Sequence, residues 1–142
     1  MMPNKHFQGL LLSLLLLSGA VFANDISILS KPISAQVSVT GNMDGDKFAK
    51  LMRQDFQSVI VNRPDEESGN IITAAALKQI ADQHNIRFIY QPVISGQISE
   101  KDIQTFAEYY NNLPKPILMV CRSGSRSTQL YQAAKQQGLL NE

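Results

Sequence analysis

Residues 116–127 read PILMVCRSGSRS, and this stretch decides the fold. Its first five residues are apolar without interruption, which is typical of a strand buried on both faces of a parallel sheet. The only cysteine of the chain, Cys121, follows at once, and a helical pattern runs over 127–137. A buried strand that leads through a short loop into a helix is the repeating unit of an α/β domain.

Strand and helix patterns alternate along the rest of the chain. Apolar and β-branched runs predict strands over 33–40, 56–62, 87–94 and 116–120, whereas helical spacing of apolar residues follows the cap candidates Asp44, Thr73 and Ser99. Pro92 indicates that the second half of its strand leaves the sheet. The sequence predicts a three-layer α/β sandwich with a mainly parallel four-stranded sheet and right-handed crossovers.

The first 23 residues differ from the rest in composition. Lys5 precedes an apolar run over 10–17, and small residues lead up to Ala23. This arrangement is typical of a secretory signal peptide. The run is shorter than the roughly 20 residues that a membrane-spanning anchor needs. We expect cleavage after Ala23, export to a bacterial periplasm, and a single domain over 24–142 that does not bind the membrane.

Composition excludes several classes of function. The chain has 142 residues, 44% of them hydrophobic, and a single cysteine, so it forms no intrachain disulfide framework and no cysteine-based structural zinc site. Without residues 1–23 its basic and acidic residues balance at 12 each, which argues against a nucleic-acid partner. No His, Asp and Glu cluster has metal-ligand spacing, and we expect no metal or other cofactor.

The segment after the buried strand carries the chemistry. A short loop that opens a helix directs backbone N–H groups inward, and the helix dipole adds positive charge, so the segment predicts an anion-binding cradle. Cys121 is the candidate nucleophile, with a pKa lowered by the helix N-terminus and by the charge of Arg126, and Arg126 is also the candidate clamp for an oxyanion. The remaining residues of the predicted anion-binding loop are Arg122, Ser123, Gly124, Ser125, Ser127 and Thr128.

A second polar segment, 62–67, follows the strand predicted over 56–62 and is expected at the same edge of the sheet. Asp65 is the candidate proton donor to a leaving group, and Arg63 is a candidate anion contact. The alternative is a solvated turn in which Pro64 and Asp65 only end the strand.

The pattern of Cys121, Gly124, Arg126 and Ser127 resembles the active-site loops of rhodanese sulfurtransferases and of cysteine-dependent protein tyrosine phosphatases. An ordered series of segments is similar to the phosphatase-like domain of the beta-lactamase-hydrolase-like proteins: residues 37–41 (VSVTG), 58–67 (SVIVNRPDEE), 90–93 (YQPV), 115–118 (KPIL) and 121–127 (CRSGSRS). This resemblance implies a dual-specificity phosphatase type of fold. Some members of the family are called phosphatases and others sulfurtransferases.

Three departures from the phosphatase pattern decide which reaction we expect. Only four residues separate Cys121 from Arg126, one fewer than in phosphatase loops. Val120 stands where phosphatases usually have histidine, and residues 94–96 (ISG) stand where the general acid is usually found. These departures favour a sulfurtransferase.

The leading hypothesis is therefore sulfur transfer from thiosulfate or a persulfide to a thiol through a Cys121 persulfide. The first alternative is a phosphatase that forms a Cys121 thiophosphate, with Asp65 as the acid. The second is a non-catalytic module that binds oxyanions. The expected partners are a small oxyanion, persulfide or phosphorylated substrate and a thiol reductant that keeps Cys121 active.

Overall fold

The computed structural model describes residues 28–142. The signal peptide predicted over 1–23 and its cleavage site lie outside the described residues, so export and the limits of the mature domain stay predictions. None of the described helices is long and apolar enough to cross a membrane.

Five short strands form one sheet. They are β1 (Lys31–Pro32), β2 (Val37–Thr40), β3 (Ser58–Val61), β4 (Arg87–Tyr90) and β5 (Ile117–Val120), and their order in the sheet is β1-β2-β5-β3-β4. The four longer strands pair in parallel, as predicted. β4 ends before Pro92, which confirms that the chain leaves the sheet there.

The first predicted strand was too long, and the sheet has one strand more than expected. Residues 33–36 form a turn instead, because the Ser34 hydroxyl accepts hydrogen bonds from the backbone N–H groups of Gln36 and Val37, both at 3.1 Å. The turn lets β1 fold back and pair antiparallel with β2. Pro32 has no N–H to donate, which suits an edge strand of only two residues.

Three helices connect the parallel strands, and a fourth follows β5: α1 (Gly45–Met52), α2 (Ala74–Gln83), α3 (Glu100–Asn112) and α4 (Ser125–Gln136). The side chains of Asp44, Thr73 and Ser99 cap the first three through backbone N–H groups of the first turn, as predicted. The fourth helix begins two residues before its predicted start. Its N-cap is Gly124, which has no side chain to accept a hydrogen bond.

Each face of the sheet is covered by two helices. Val59, Val61 and Leu118 pack with α1 and α2 on one face, and alternate strand residues pack with α3 and α4 on the other, among them Ile60, Ile117 and Met119. Because neighbouring side chains in a strand point to opposite faces, a strand buried on both sides must be apolar throughout. The structure confirms the three-layer α/β sandwich.

Candidate active site

Three strands end together at the cysteine. Cys121 directly follows β5, and its backbone N–H donates to the carbonyl of Thr40 at the end of β2, at 3.1 Å. On the other side of β5, the N–H of Asn62 donates to the carbonyl of Val120 at 2.7 Å. The cysteine therefore lies at the carboxyl ends of the central strands, where open α/β sheets place their ligands.

The loop that follows is built around the sulfur atom. Gly124 adopts a left-handed conformation with φ of 87°, and its N–H donates to Cys121 Sγ at 3.0 Å. Burial raises the pKa of the Cys121 thiol, but hydrogen bonds from the N–H and hydroxyl of Ser127 and from the N–H groups of Ser123 and Gly124 outweigh it. The pKa therefore lies below its ordinary value, as predicted, and favours the thiolate.

The Ser127 hydroxyl has two acceptors within reach. It donates to the side-chain oxygen Oδ1 of Asn62 at 2.9 Å, and it also lies where it lowers the pKa of Cys121 by hydrogen bonding. A hydroxyl has one proton to donate. The Ser127 proton therefore serves either the thiolate or the amide of Asn62, and Asn62 holds the hydroxyl beside the sulfur in both cases.

Arg126 lies in the first turn of α4 and is buried, with only 5% of its surface exposed. Its Nη1 donates to the carbonyls of Val93 at 2.9 Å and of Asn62 at 3.3 Å, and its Nη2 lies 2.9 Å from Glu67 Oε2. Its Nε has no acceptor among the described residues. The two Nη groups fix the plane of the guanidinium, while the buried Nε remains a hydrogen-bond donor for a bound oxyanion.

Sequence reasoning attributed the lowered pKa of Cys121 partly to the charge of Arg126. The structure gives that charge another partner, because Glu67 forms the ion pair with Arg126. The stabilisation of the thiolate comes instead from N–H groups and a hydroxyl at the start of α4. The start of the helix therefore lowers the pKa of Cys121, as predicted.

Two functional residues, Glu67 and Asn62, were missed from the sequence. Glu67 bonds Arg126 and also lies 3.4 Å from Nε of Arg63. Asn62 is fully buried and bonds three different parts of the site through its N–H, carbonyl and side chain. A polar residue at the end of an apolar strand was the available signal for Asn62.

A turn from another part of the chain packs against the loop. Asn42 N–H donates to the carbonyl of Arg122 at 3.0 Å, and Gly41 forms a β-bridge with Ser123. A Cβ atom on Gly41 would lie 2.2 Å from that carbonyl oxygen, a distance that van der Waals contact forbids. Only glycine permits this close approach.

The cavity above Cys121 has a volume of about 510 Å³. Four of the predicted loop residues line it with Cys121, namely Arg122, Ser123, Ser125 and Arg126. Glu67 and residues 94–96 form much of the remaining wall of this cavity. Thr128 has a different task, since its hydroxyl donates to the carbonyl of Gly124 at 2.7 Å. The described residues include no group of three His, Cys, Asp or Glu side chains placed to hold a metal ion.

The structure does not bring Asp65 and Arg63 into this cavity. The Asp65 carboxylate accepts a hydrogen bond from the N–H of Ala74 at the start of α2, at 2.8 Å, and lines a separate cavity with Tyr90. Arg63 is buried and donates to the carbonyl of Ser68 at 2.9 Å. The placement supports the alternative reading of Asp65 as a turn residue, and it gives Arg63 a part in holding Glu67.

Comparison with known proteins assigns the family. The sequence model of one protein family, described as the phosphatase-like domain of beta-lactamase hydrolase-like protein, matches residues 30–138 of this chain. The chain belongs to this family. A beta-lactamase hydrolase-like protein of Xylella fastidiosa strain Temecula1 is 30% identical over 99 residues, which are 70% of this chain and 23% of that protein. This phosphatase-like domain thus spans less than a quarter of the length of that relative.

Solved structures support the same fold. A protein of Neisseria meningitidis superposes with a TM-score of 0.65 at 24% identity, over 71% of this chain and 72% of that chain. The core catalytic domain of the PP-IP phosphatase SIW14 from S. cerevisiae superposes with a TM-score of 0.53 at 15% identity, over 75% of this chain and 74% of that chain. The domain therefore shares the fold of these structures, as the resemblance implied.

Proposed function

We propose that the domain is a cysteine-dependent phosphatase, in which Cys121 attacks a phosphorus atom and Arg126 binds the phosphate oxygens. One observation carries this proposal: a thiol with a lowered pKa and a buried arginine, whose Nε has no acceptor among the described residues, belong to residues that line the same cavity. The comparisons support this order of the two enzyme hypotheses, whereas loop spacing alone had favoured sulfur transfer.

In the first step the Cys121 thiolate attacks the phosphorus atom. An S–P bond forms, the bond from phosphorus to the leaving group breaks, and the leaving group departs with the electron pair. Arg126 is held in place before the substrate binds, so its Nε donates to a phosphate oxygen without reorganisation.

In the second step water attacks the thiophosphate. The S–P bond breaks, Cys121 leaves as a thiolate, and inorganic phosphate is released. The N–H of Gly124, 3.0 Å from Sγ, and the Ser127 hydroxyl stabilise the departing sulfur. The same groups therefore make the sulfur both a competent nucleophile and a competent leaving group.

The cavity also limits which phosphates react well. Among the described residues that line the cavity, Glu67 is the one with a carboxylate, and both of its oxygens are bound to Nη2 of Arg126. A leaving group that needs a proton is poorly served by this arrangement. We therefore propose that the enzyme prefers phosphates whose leaving group is stable as an anion, such as aryl phosphates and phosphoanhydrides.

The test is a rapid quench of the protein with an excess of p-nitrophenyl phosphate. Intact-protein mass spectrometry should detect a gain of one phosphoryl group on the natural chain and none on Cys121→Ser. Release of phosphate from phenyl phosphate should be slower than from the nitrophenyl ester. Equal phosphate release by the natural chain and Cys121→Ser would contradict the proposal.

Sulfur transfer is the second candidate, and the four-residue spacing between Cys121 and Arg126 favours it. Here the thiolate attacks the outer sulfur of thiosulfate, an S–S bond forms to that sulfur, and sulfite leaves with the electron pair. The resulting persulfide passes its outer sulfur to a thiol or to cyanide. No proton donor is needed for sulfite to leave.

The same mass spectrometry separates the candidates. Incubation with thiosulfate should add one sulfur atom to Cys121 if sulfur transfer is the natural reaction. A persulfide without any phosphoryl adduct would reverse the order of the two functions. Binding of phosphate without either adduct would identify a non-catalytic oxyanion module.

A further inference from the structure

A second cavity lies beside the catalytic loop. Its volume is about 380 Å³, and it shares Arg122 and Ser123 with the Cys121 cavity. The charged side chains among the described residues that line it are all cationic, and they come from three elements: Lys31 on β1, Lys47 on α1 and Arg122 on the loop. Positive charge is thus concentrated next to the site where a phosphate would react.

Lys47 is the cation of this cavity that is best held in position. Its ammonium donates to the carbonyl of Gly41 at 2.5 Å, and that glycine is the residue packed against the catalytic loop. Burial lowers the pKa of Lys47, and the charge of Asp44 offsets this only in part. Two of its three donors stay available beyond the bond to Gly41, and an anion in the cavity would compensate the lost hydration.

We propose that this second cavity is an anion subsite of the catalytic centre and that the natural substrate is a small molecule with two phosphate groups. One phosphate would lie above Cys121, and the other would lie between Lys31, Lys47 and Arg122. Arg122 lines both cavities, so the two phosphates must be close together in the substrate. This proposal rests on the proposed phosphatase function, because it assigns the first cavity to a phosphate.

The test measures binding and does not depend on turnover. Cys121→Ser is titrated by calorimetry with alkyl monophosphates and with matched alkanediol bisphosphates whose chain length increases one carbon at a time. A second phosphate held by charge-assisted hydrogen bonds should tighten binding about tenfold at the best chain length.

Substitutions then assign that gain to the second cavity. Lys47→Gln and Lys31→Gln, each in the Cys121→Ser background, should remove most of the difference between bisphosphate and monophosphate. Lys31 is exposed on the edge strand, so its substitution leaves the bond between Lys47 and Gly41 in place. Lys50→Gln is the matched control, because Lys50 is exposed on the same helix and does not line the cavity.

The outcomes separate the two proposals. Equal affinity for monophosphates and bisphosphates of every length would overturn the subsite and leave the phosphatase proposal intact. Loss of the bisphosphate gain in Lys50→Gln to the same extent as in Lys47→Gln would also overturn it, since general charge would then explain binding. Failure of both ligand types to bind would overturn the proposed function and the subsite with it.

Discussion

Two loops follow neighbouring buried strands, and they build the site in different ways. The loop after β5 is short and turns its backbone N–H groups toward one sulfur atom. The loop after β3 is longer and contributes side chains that point in opposite directions, with Glu67 on Arg126 and Asp65 on the start of α2. Backbone geometry follows closely from sequence, whereas the direction of a side chain depends on partners far away in the chain.

Replacing the nucleophile tests the first loop most directly. Cys121→Ser should lose all measurable turnover, because a serine hydroxyl at this site does not ionise as the thiol does. The fold should persist, since Cys121 is a small buried side chain and serine is of similar size. Phosphate release and circular dichroism are measured on the same preparation. Residual turnover that scales with protein concentration would mean that the sulfur is not the nucleophile.

Arg126 tests whether the oxyanion needs a planar donor group. Arg126→Lys keeps the charge but loses the Nε donor and the hold of Val93, Asn62 and Glu67 on the guanidinium. We expect kcat/KM for p-nitrophenyl phosphate to fall about 100-fold or more. Arg53→Lys, far from the cavity on the end of α1, is the control. An equal loss in both variants would mean that the effect is not specific to Arg126.

Glu67 tests what the loop after β3 contributes to the site. Glu67→Gln removes the charge that pairs with Arg126 and Arg63, so the guanidinium should be held less firmly. Loss of a partly buried ion pair should lower kcat/KM about tenfold while Glu66→Gln, at the exposed neighbouring position, leaves it unchanged. Steady-state kinetics of both variants check this. Indistinguishable rates would mean that Asn62 and Val93 suffice to position Arg126.

Ser127 tests how the first loop lowers the pKa of the thiol. Ser127→Ala removes the hydroxyl but keeps the backbone N–H groups, so the pKa of Cys121 should rise. Only the thiolate reacts with iodoacetamide, and its population is lost as pH falls through the pKa. The midpoint of the alkylation rate should therefore move to higher pH. An unchanged midpoint would show that the Ser127 hydroxyl donates to Asn62 Oδ1 and not to the sulfur.

Asp65 should give the smallest effect on activity. Asp65→Ala leaves the N–H of Ala74 without its carboxylate partner at the start of α2, which should cost about 1 kcal/mol of the free energy of unfolding. Activity should stay near that of the natural chain, because Asp65 lines a different cavity. Urea unfolding and phosphate release are compared. A large loss of activity without a loss of stability would restore Asp65 as a proton donor.

The sequence predicts much of the fold because the relevant signals are local. The uninterrupted apolar run 116–120 predicts a central strand, and Thr73 and Ser99 mark helix starts through their capping side chains. The edge strand β1 cannot be predicted from local signals of this kind. It exists because the Ser34 turn brings Lys31 and Pro32 back onto β2, and no periodicity is visible in two residues.

The site is only partly predictable for the same reason. Cys121 and Arg126 are close in sequence, at the start of one helix, so their place at the same cavity can be predicted from their spacing. Glu67 and Asn62 reach Arg126 and Ser127 across 59 and 65 residues of sequence, and only the folded sheet brings them together. Asp65 and Glu67 are two residues apart and chemically alike, so the sequence offers no way to decide which of them faces the cavity.

The contact between Gly41 and the catalytic loop has a consequence for how this domain can change. A loop with one more residue would need room where the turn at Gly41 and Asn42 now presses on Arg122. A loop lengthened on this side would press against the backbone at Gly41, which is already in close contact with Arg122. We therefore expect insertions beside Cys121 to survive only in chains whose turn after β2 has moved as well, so that these two distant segments evolve as one unit.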